Sequence, residues 1–228
     1  PSMLNPSDNI EYQSSDSGMT IEVLQPQCAM VITDPHTGHI KAIIGGRTAP
    51  VFKRGLNRAY QGATEDGSNS EGPMPIGSSI KPITVYAPAL DNGKNPGSRY
   101  YNVKSAIPGW VSELGYPRNY GDKDYTGRTS LRQSIITSAN TVAAQAFTFD
   151  VGIAASTNYL SKLGVNINVT DKIVLDGSGL ALGTSAISML DLSSAYAALA
   201  NGGVYMEPLS FTRIEDSEGT LVYDAEAN

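Results

Sequence analysis

The chain is 228 residues long, 40% hydrophobic and 17% charged, with 23 glycines and 13 prolines, a composition that places it among soluble globular proteins and excludes disordered, collagen-like and membrane classes. A chain of this length buries about 70% of its unfolded surface, so its core needs no covalent or metal support, and the lone Cys28 excludes an internal disulfide framework or a multi-cysteine zinc cluster. The net charge of −6, with no basic run, argues against nucleic acid as a partner.

No apolar stretch reaches the roughly 20 residues of a membrane span, and Pro1 to Pro6 lack the order of a signal peptide. Residues 1–27 mix Ser, Asp, Asn, Gln and Pro and read as a linker or edge segment. Residues 28–33 and 39–44 are rich in Val and Ile, and the turn chemistry of Asp34-Pro35-His36-Thr37-Gly38 between them predicts a hairpin. Cys28, at the start of the first strand, reads as a small core hydrophobe. His36 and His39 flank the turn and read as surface residues rather than ligands.

Residues 47–77 show no periodicity and predict a long irregular segment, with a solvated acidic run around Glu65 and Asp66. Ser78 to Leu90 reads as a helix that tolerates Pro82 in its first turn and is kinked or shortened by Pro88. A second irregular stretch, rich in Gly, Pro and Tyr, runs from Asp91 to Gly127. Its Trp110 and tyrosines Tyr100, Tyr101, Tyr116, Tyr120 and Tyr125 suit either local packing or the lining of a peptide cleft.

Ser130-Leu131-Arg132-Gln133 has the spacing of a capping box, opening a helix with an apolar stripe of Leu131, Ile135 and Ile136. Further helices are expected over 141–149, 157–163 and 188–199. The last is capped by Ser188, lined by Leu192, Ala195, Tyr196 and Leu199, and stopped by Asn201-Gly202-Gly203. Residues 211–215 and 221–223, around Asp216-Ser217-Glu218-Gly219, predict a second hairpin.

Two short motifs carry chemistry. Ser78-Ser79-Ile80-Lys81 sets a hydroxyl and an amine three residues apart, on one face of a helix. A serine becomes a nucleophile when a base takes its proton, and a lysine is that base only where burial or nearby cations hold it neutral. At a helix start the serine amide also points outward, towards an acyl oxyanion. Taken alone the pair is weak, since a capping serine followed by a solvated lysine is common. Ser138-Ala139-Asn140 interrupts two apolar helical runs. It reads either as a plain turn or as a proton relay, Ser138, beside a positioning amide, Asn140.

In this order and separation the two motifs resemble the first two of three in the penicilloyl-serine transferase superfamily, which includes penicillin-binding proteins and serine β-lactamases. The flanks narrow the likeness to the transpeptidase domain of class A penicillin-binding proteins. Residues 29–47 are similar to its opening hairpin, 52–59 to the approach to the active site, and Pro75-Ile76-Gly77-Ser78-Ser79-Ile80-Lys81-Pro82 to its nucleophile motif. Pro117-Arg118-Asn119-Tyr120 precedes the second motif as in the family, and Leu182-Gly183-Thr184, Ser194-Ala195-Tyr196 and Ala200-Asn201-Gly202-Gly203 match a later block.

The resemblance, over residues 28–224, implies an α/β fold in which an antiparallel sheet packs with helices beside a mostly helical subdomain; residues 28–228 would be the N-terminal portion of that domain. It implies a D,D-transpeptidase that cross-links peptidoglycan stem peptides ending in D-Ala-D-Ala and is acylated by β-lactams. Ser78 would be the nucleophile, Lys81 the base, Ser138 the relay and Asn140 the positioning group, with no cofactor or metal. It further implies a place on the outer face of the bacterial cytoplasmic membrane, through an anchor outside these residues and next to an upstream glycosyltransferase domain.

One departure stands out: the third motif, Lys-Thr-Gly or a close variant, does not occur in the 228 residues. The expectation is a C-terminal complement that carries it, because half an active-site sheet would leave an exposed apolar edge. Two other readings are a β-lactam sensor or non-catalytic binding module and, less well supported, a serine β-lactamase, whose deacylating glutamate pattern is not found here.

Overall fold

The computed structural model describes residues 10–14, 20–24, 28–47, 57–60, 75–165 and 173–225. The chain divides into two compact units, one of Pro1–Pro73 with Ser188–Asn228 and one of Met74–Ile187.

In the first unit, β1 (Ile10–Ser14) pairs antiparallel with β2 (Thr20–Leu24), so the segment read as a linker or edge piece carries a hairpin of its own. β3 (Met30–Thr33) and β4 (Ile40–Ile44) form the expected antiparallel hairpin. Asp34 shapes its turn: the carboxylate accepts from the His36 amide at 2.9 Å and the backbone carbonyl from Gly38 at 2.9 Å. Cys28 is exposed, against the core position expected for it; pairing begins at Met30, so Cys28 lies beyond the end of the ladder. Most of the irregular segment expected over 47–77, with Glu65 and Asp66 and residues 52–56, falls outside the described residues.

The second unit opens with a tight 3₁₀ turn over Gly77–Ile80, a wide turn over Pro82–Tyr86 in which the Ala87 amide reaches back to the Pro82 carbonyl, and α1 (Ala87–Asp91). The helical path expected from Ser78 is therefore present but irregular, and Pro88 supplies a reason. Its nitrogen carries no hydrogen, so the carbonyl of Thr84 loses its usual helical donor. The buried Ser156 hydroxyl fills that place, donating to Thr84 O at 2.6 Å. Ser156→Ala removes this donor from a buried carbonyl and is expected to lower unfolding stability by about 1–3 kcal/mol, measured by chemical denaturation; an unchanged midpoint would refute the pairing.

The tyrosine-rich stretch is not wholly irregular: β5 (Arg99–Asn102) lies within it and pairs antiparallel with β6 (Gly127–Ser130). Tyr100 and Asn102 face inward and Arg99 and Tyr101 outward. The aromatic residues divide accordingly. Tyr100 is buried and donates to Asp150 Oδ2 at 2.8 Å, whereas Tyr120 is almost wholly exposed.

α2 (Leu131–Thr137) starts as expected, with the Ser130 hydroxyl accepting from the Gln133 amide at 3.1 Å. Its stripe is only partly right: Leu131 is buried, but Ile135 and Ile136 are exposed, because packing engages the first turn and not the second. α3 (Asn140–Ala146), a wide turn over Phe147–Val151 and α4 (Gly152–Lys162) follow, α4 beginning five residues before the expected Thr157. α5 (Gly177–Leu182), absent from the sequence reading, is capped by Asp176, whose carboxylate accepts from the Gly179 amide at 2.7 Å. Ile80, Ile83, Val85, Leu131, Val142, Leu160 and Leu180 are fully buried and form the core of this unit.

The chain then returns to the first unit through α6 (Met189–Ala200), capped by Ser188 and ended where the Gly203 amide donates to Ala198 O at 2.8 Å. Its buried positions are Leu190, Ser194, Ala195 and Ala198; of the expected face only Ala195 is buried, and Tyr196 and Leu199 are exposed. The helix packs on β3 through small residues, Thr33 Oγ1 lying 3.0 Å from Ser193 Oγ, and this places the contact on the Ser and Ala side. The expected C-terminal hairpin is present as β7 (Arg213–Glu215) and β8 (Leu221–Asp224). Helices and antiparallel strands together make the α/β class expected, but among the described residues the strands form four separate two-stranded sheets rather than one.

Candidate active site

All four residues singled out from the sequence lie in the second unit. Ser78 is exposed in the 3₁₀ turn, and Lys81 follows it as the first residue beyond that turn. Lys81 is only 2% exposed, an unusual place for an ammonium group. Its three donor positions meet three acceptors, Ser138 O at 2.8 Å, Ser138 Oγ at 3.1 Å and Asn140 Oδ1 at 2.6 Å. The structure thus brings Lys81, Ser138 and Asn140 together, while the hydroxyl of Ser78 is not among the partners of Lys81.

Burial lowers the Lys81 pKa from 10.5 to about 8. No neighbouring cation contributes to the shift; loss of hydration is the whole cause. Of the three acceptors, the carbonyl of Ser138 and the amide oxygen of Asn140 can only accept, whereas the Ser138 hydroxyl can also donate. When Lys81 gives up a proton, Ser138 is therefore the partner able to turn round and donate to the new lone pair. A proton route between the two side chains follows from their donor and acceptor inventory.

Ser138 takes this position through strained backbone. It sits between α2 and α3 with φ 52° and ψ 40°, left-handed values rare for a residue with a side chain. The kink directs both its carbonyl and its hydroxyl to Lys81 and lets α3 begin at Asn140. Asn140 is fixed on its other side, donating through Nδ2 to Arg118 O at 2.7 Å.

The approach to Ser78 is braced by the loop after α5. The Gly77 amide donates to Gly183 O at 2.9 Å, and Ile76 to Ser185 O at 3.3 Å. Gly183 has φ +78°, and a Cβ built on it would lie 1.9 Å from the Gly77 carbonyl oxygen, so backbone meets backbone where no side chain fits. Gly183→Ala should cost at least about 2 kcal/mol of stability, with Gly203→Ala, where open space surrounds the site, as the comparison for left-handed strain alone. Equal losses in the two variants, by urea denaturation, would show that the close approach contributes nothing.

Sequence reading passed over one residue of this site, Asn119, noted only within Pro117-Arg118-Asn119-Tyr120. It is buried, and its Oδ1 accepts from the amides of Asn140 at 2.9 Å and Thr141 at 3.3 Å. The available signal was negative: Ala139 precedes α3 and has no side chain able to cap it, so the cap had to come from elsewhere.

Comparison with known proteins addresses the family and the fold. Penicillin-binding protein 1A of Clostridium acetobutylicum is 31% identical over 208 residues, 89% of this chain and 24% of that protein. The Escherichia coli protein of the same name is 28% identical over 216 residues, 93% of this chain and 23% of its own length. The chain thus spans about a quarter of the length of these relatives. Among solved structures, penicillin-binding protein 1A from Haemophilus influenzae superposes with a TM-score of 0.70 at 29% identity, covering 95% of this chain and 30% of that one. PonA1 of Mycobacterium tuberculosis, solved in complex with penicillin V, shares the fold with a TM-score of 0.69 at 22% identity, over 88% of this chain and 52% of its own. The family description "penicillin binding protein transpeptidase domain" matches residues 28–227. With nearly the whole chain matched and a buried lysine joined to Ser138 and Asn140, this protein belongs to the penicillin-binding protein transpeptidase domain family.

Proposed function

We propose that the chain is the nucleophile-bearing portion of a D,D-transpeptidase that cross-links peptidoglycan stem peptides, with residues 1–27 as an edge segment ahead of the domain. The observation that supports this best is the buried, partly neutralised Lys81, held by Ser138 and Asn140 one turn after the exposed Ser78. Ser78 Oγ attacks the carbonyl carbon of the penultimate D-alanine as its proton moves to neutral Lys81. The proton returns through Ser138 to the departing nitrogen, the C–N bond breaks, and terminal D-alanine leaves an ester on Ser78. An amine from a neighbouring stem then attacks that ester and gives its proton to Lys81; the C–O bond breaks and Lys81 passes the proton to Ser78 Oγ, which regenerates the serine hydroxyl and a neutral lysine. A β-lactam enters the same path because its strained amide stands in for the D-Ala-D-Ala bond. Asn140 holds Lys81 and a substrate amide in register throughout.

Two partners complete the proposal. A C-terminal segment carrying the Lys-Thr-Gly motif supplies the substrate-carboxylate site and an oxyanion amide. A membrane anchor outside these residues holds the domain at the outer face of the cytoplasmic membrane; among the described residues no helix is long and apolar enough to cross one.

The test is mass spectrometry after incubation with a labelled penicillin, on the chain alone and with the complementary segment added. The expected result is a persistent adduct on Ser78 that forms slowly or not at all in the first arm and readily in the second. Equal labelling in both arms would remove the need for the complement. Rapid loss of the adduct would make the protein a lactamase, and no adduct in either arm would make it a non-catalytic module.

A further inference from the structure

We propose that Asn119 is a positioning residue for the reaction, its side-chain amide capping α3 from a distance and so holding Asn140 against Lys81. The inference rests on the reading of Lys81 as the base, and it begins from an accounting of α3. The first amides of a helix have no acceptor within it, and Ala139 offers none. Asn119 Oδ1 takes both the Asn140 and the Thr141 amides. The side chain that contacts Lys81 and the side chain that caps its helix therefore meet at one backbone nitrogen.

The orientation of Asn119 is dictated in turn. Its Nδ2 donates to Asn102 Oδ1 at 2.7 Å, and the same oxygen accepts from the Thr141 hydroxyl at 2.7 Å. Asn102 is 2% exposed and is itself fixed by donating through Nδ2 to Asp124 O at 2.7 Å and Thr126 Oγ1 at 3.2 Å. A flipped Asn119 would set its NH₂ against two amide hydrogens and its oxygen against the Asn102 oxygen, so the network admits one rotamer. A buried polar chain satisfied at every member is rigid. This one runs from β5, through Asn119, to the first turn of α3.

If the network holds Asn140, loosening it admits water to Lys81. Water restores the hydration that burial removed and replaces the acceptor that Asn140 provided, so the Lys81 titration moves up towards that of a free lysine. No ionised side chain contributes to the present position of that titration, so no other charge confuses the readout.

The experiment follows Lys81 by carbon-13 NMR of its ε-methylene through a pH titration, in the parent chain, in Asn119→Ala and in Ser156→Ala. Ser156→Ala weakens the same unit through Thr84, on the helical path that carries Lys81, while leaving every hydrogen bond of the Asn119 network in place. The expected result is a Lys81 midpoint raised by about one unit or more in Asn119→Ala and unchanged in Ser156→Ala. A midpoint in folded Asn119→Ala that stays with the parent overturns the proposal, as does an equal rise in Ser156→Ala. Should Asn119→Ala fail to fold, Thr141→Val removes only the hydroxyl bond to Asn102, and the same upward movement is required of it. With the complementary segment present, labelling of Ser78 at neutral pH should also fall at least about ten-fold in Asn119→Ala, its pH dependence moving with the lysine midpoint. A parent that never labels Ser78 defeats the transpeptidase reading and leaves the titration result standing by itself.

Discussion

Acylation of Ser78 by a labelled penicillin should fall roughly 10²–10⁴-fold in Lys81→Gln, the range general-base catalysis supplies. Glutamine is the informative replacement because its amide still donates into the pocket formed by Ser138 O, Ser138 Oγ and Asn140 Oδ1. It is one atom shorter and brings two donors in place of three, but it keeps a polar side chain at a position that is 2% exposed while removing the basic lone pair. In the parent the rate should climb with pH and level off near 8, where Lys81 loses its proton. In Lys81→Gln that limb should vanish along with the rate. Rates from stopped-flow labelling, with the complementary segment present, decide the matter; a variant that keeps both its rate and the limb would show that another group takes the serine proton.

A separate comparison divides the labour between Ser138 and Asn140. Ser138 alone among the Lys81 acceptors can exchange a proton, so in the proposed mechanism its loss acts on transfer to the leaving nitrogen. Asn140 accepts and does not relay, so its loss acts on where Lys81 sits. These proposed roles rest on atom types and distances, a hydroxyl and an amide standing on either side of Ala139.

Much of this was legible in the sequence. Hairpins bounded by Asp-Pro and Glu-Gly turns, the Ser130 and Ser188 caps and the break at Ser138 all depend on residues within a few positions of one another, and local chemistry specifies them. The pairing of β5 with β6 does not. Its partners lie more than twenty residues apart, and the inward-facing Asn102 hides the alternation that Tyr100 begins. The faces of α2 and α6 differ from expectation for a related reason: apolar residues mark a possible contact side, but the buried positions of α6 are Leu190 with the small Ser194, Ala195 and Ala198, and the side chain that meets β3 is Ser193, against Thr33.

The site shows the same division. Spacing placed Ser78 and Lys81 on one turn and identified Ser138 and Asn140, but the burial of Lys81 and its bond to Asn140 depend on segments almost sixty residues away. Asn119 was hidden more deeply, because a cap supplied across the fold leaves no mark at the helix it serves.

The stability of the fold should rise between about pH 8 and 10.5 by roughly 3 kcal/mol relative to Lys81→Met, the product of the titration shift and 1.36 kcal/mol per unit. The folded lysine releases its proton near 8, while the unfolded one keeps its proton until near 10.5. In between, the unfolded state binds more protons, so raising the pH favours the folded state. Below pH 8 both states hold the proton, and the folded one bears the full penalty of a buried ammonium. Tyr86 and Tyr100, whose hydroxyls burial pushes well above their usual range, weaken the fold above pH 10, but they do so in parent and variant alike and cancel in the difference. Urea denaturation of both proteins at half-unit steps would reveal the rise; a flat difference would mean that Lys81 titrates as it does in water. In the proposed mechanism that penalty at neutral pH is the thermodynamic counterpart of reactivity, since the same loss of hydration that weakens the fold keeps part of the amine neutral and able to take a proton from serine.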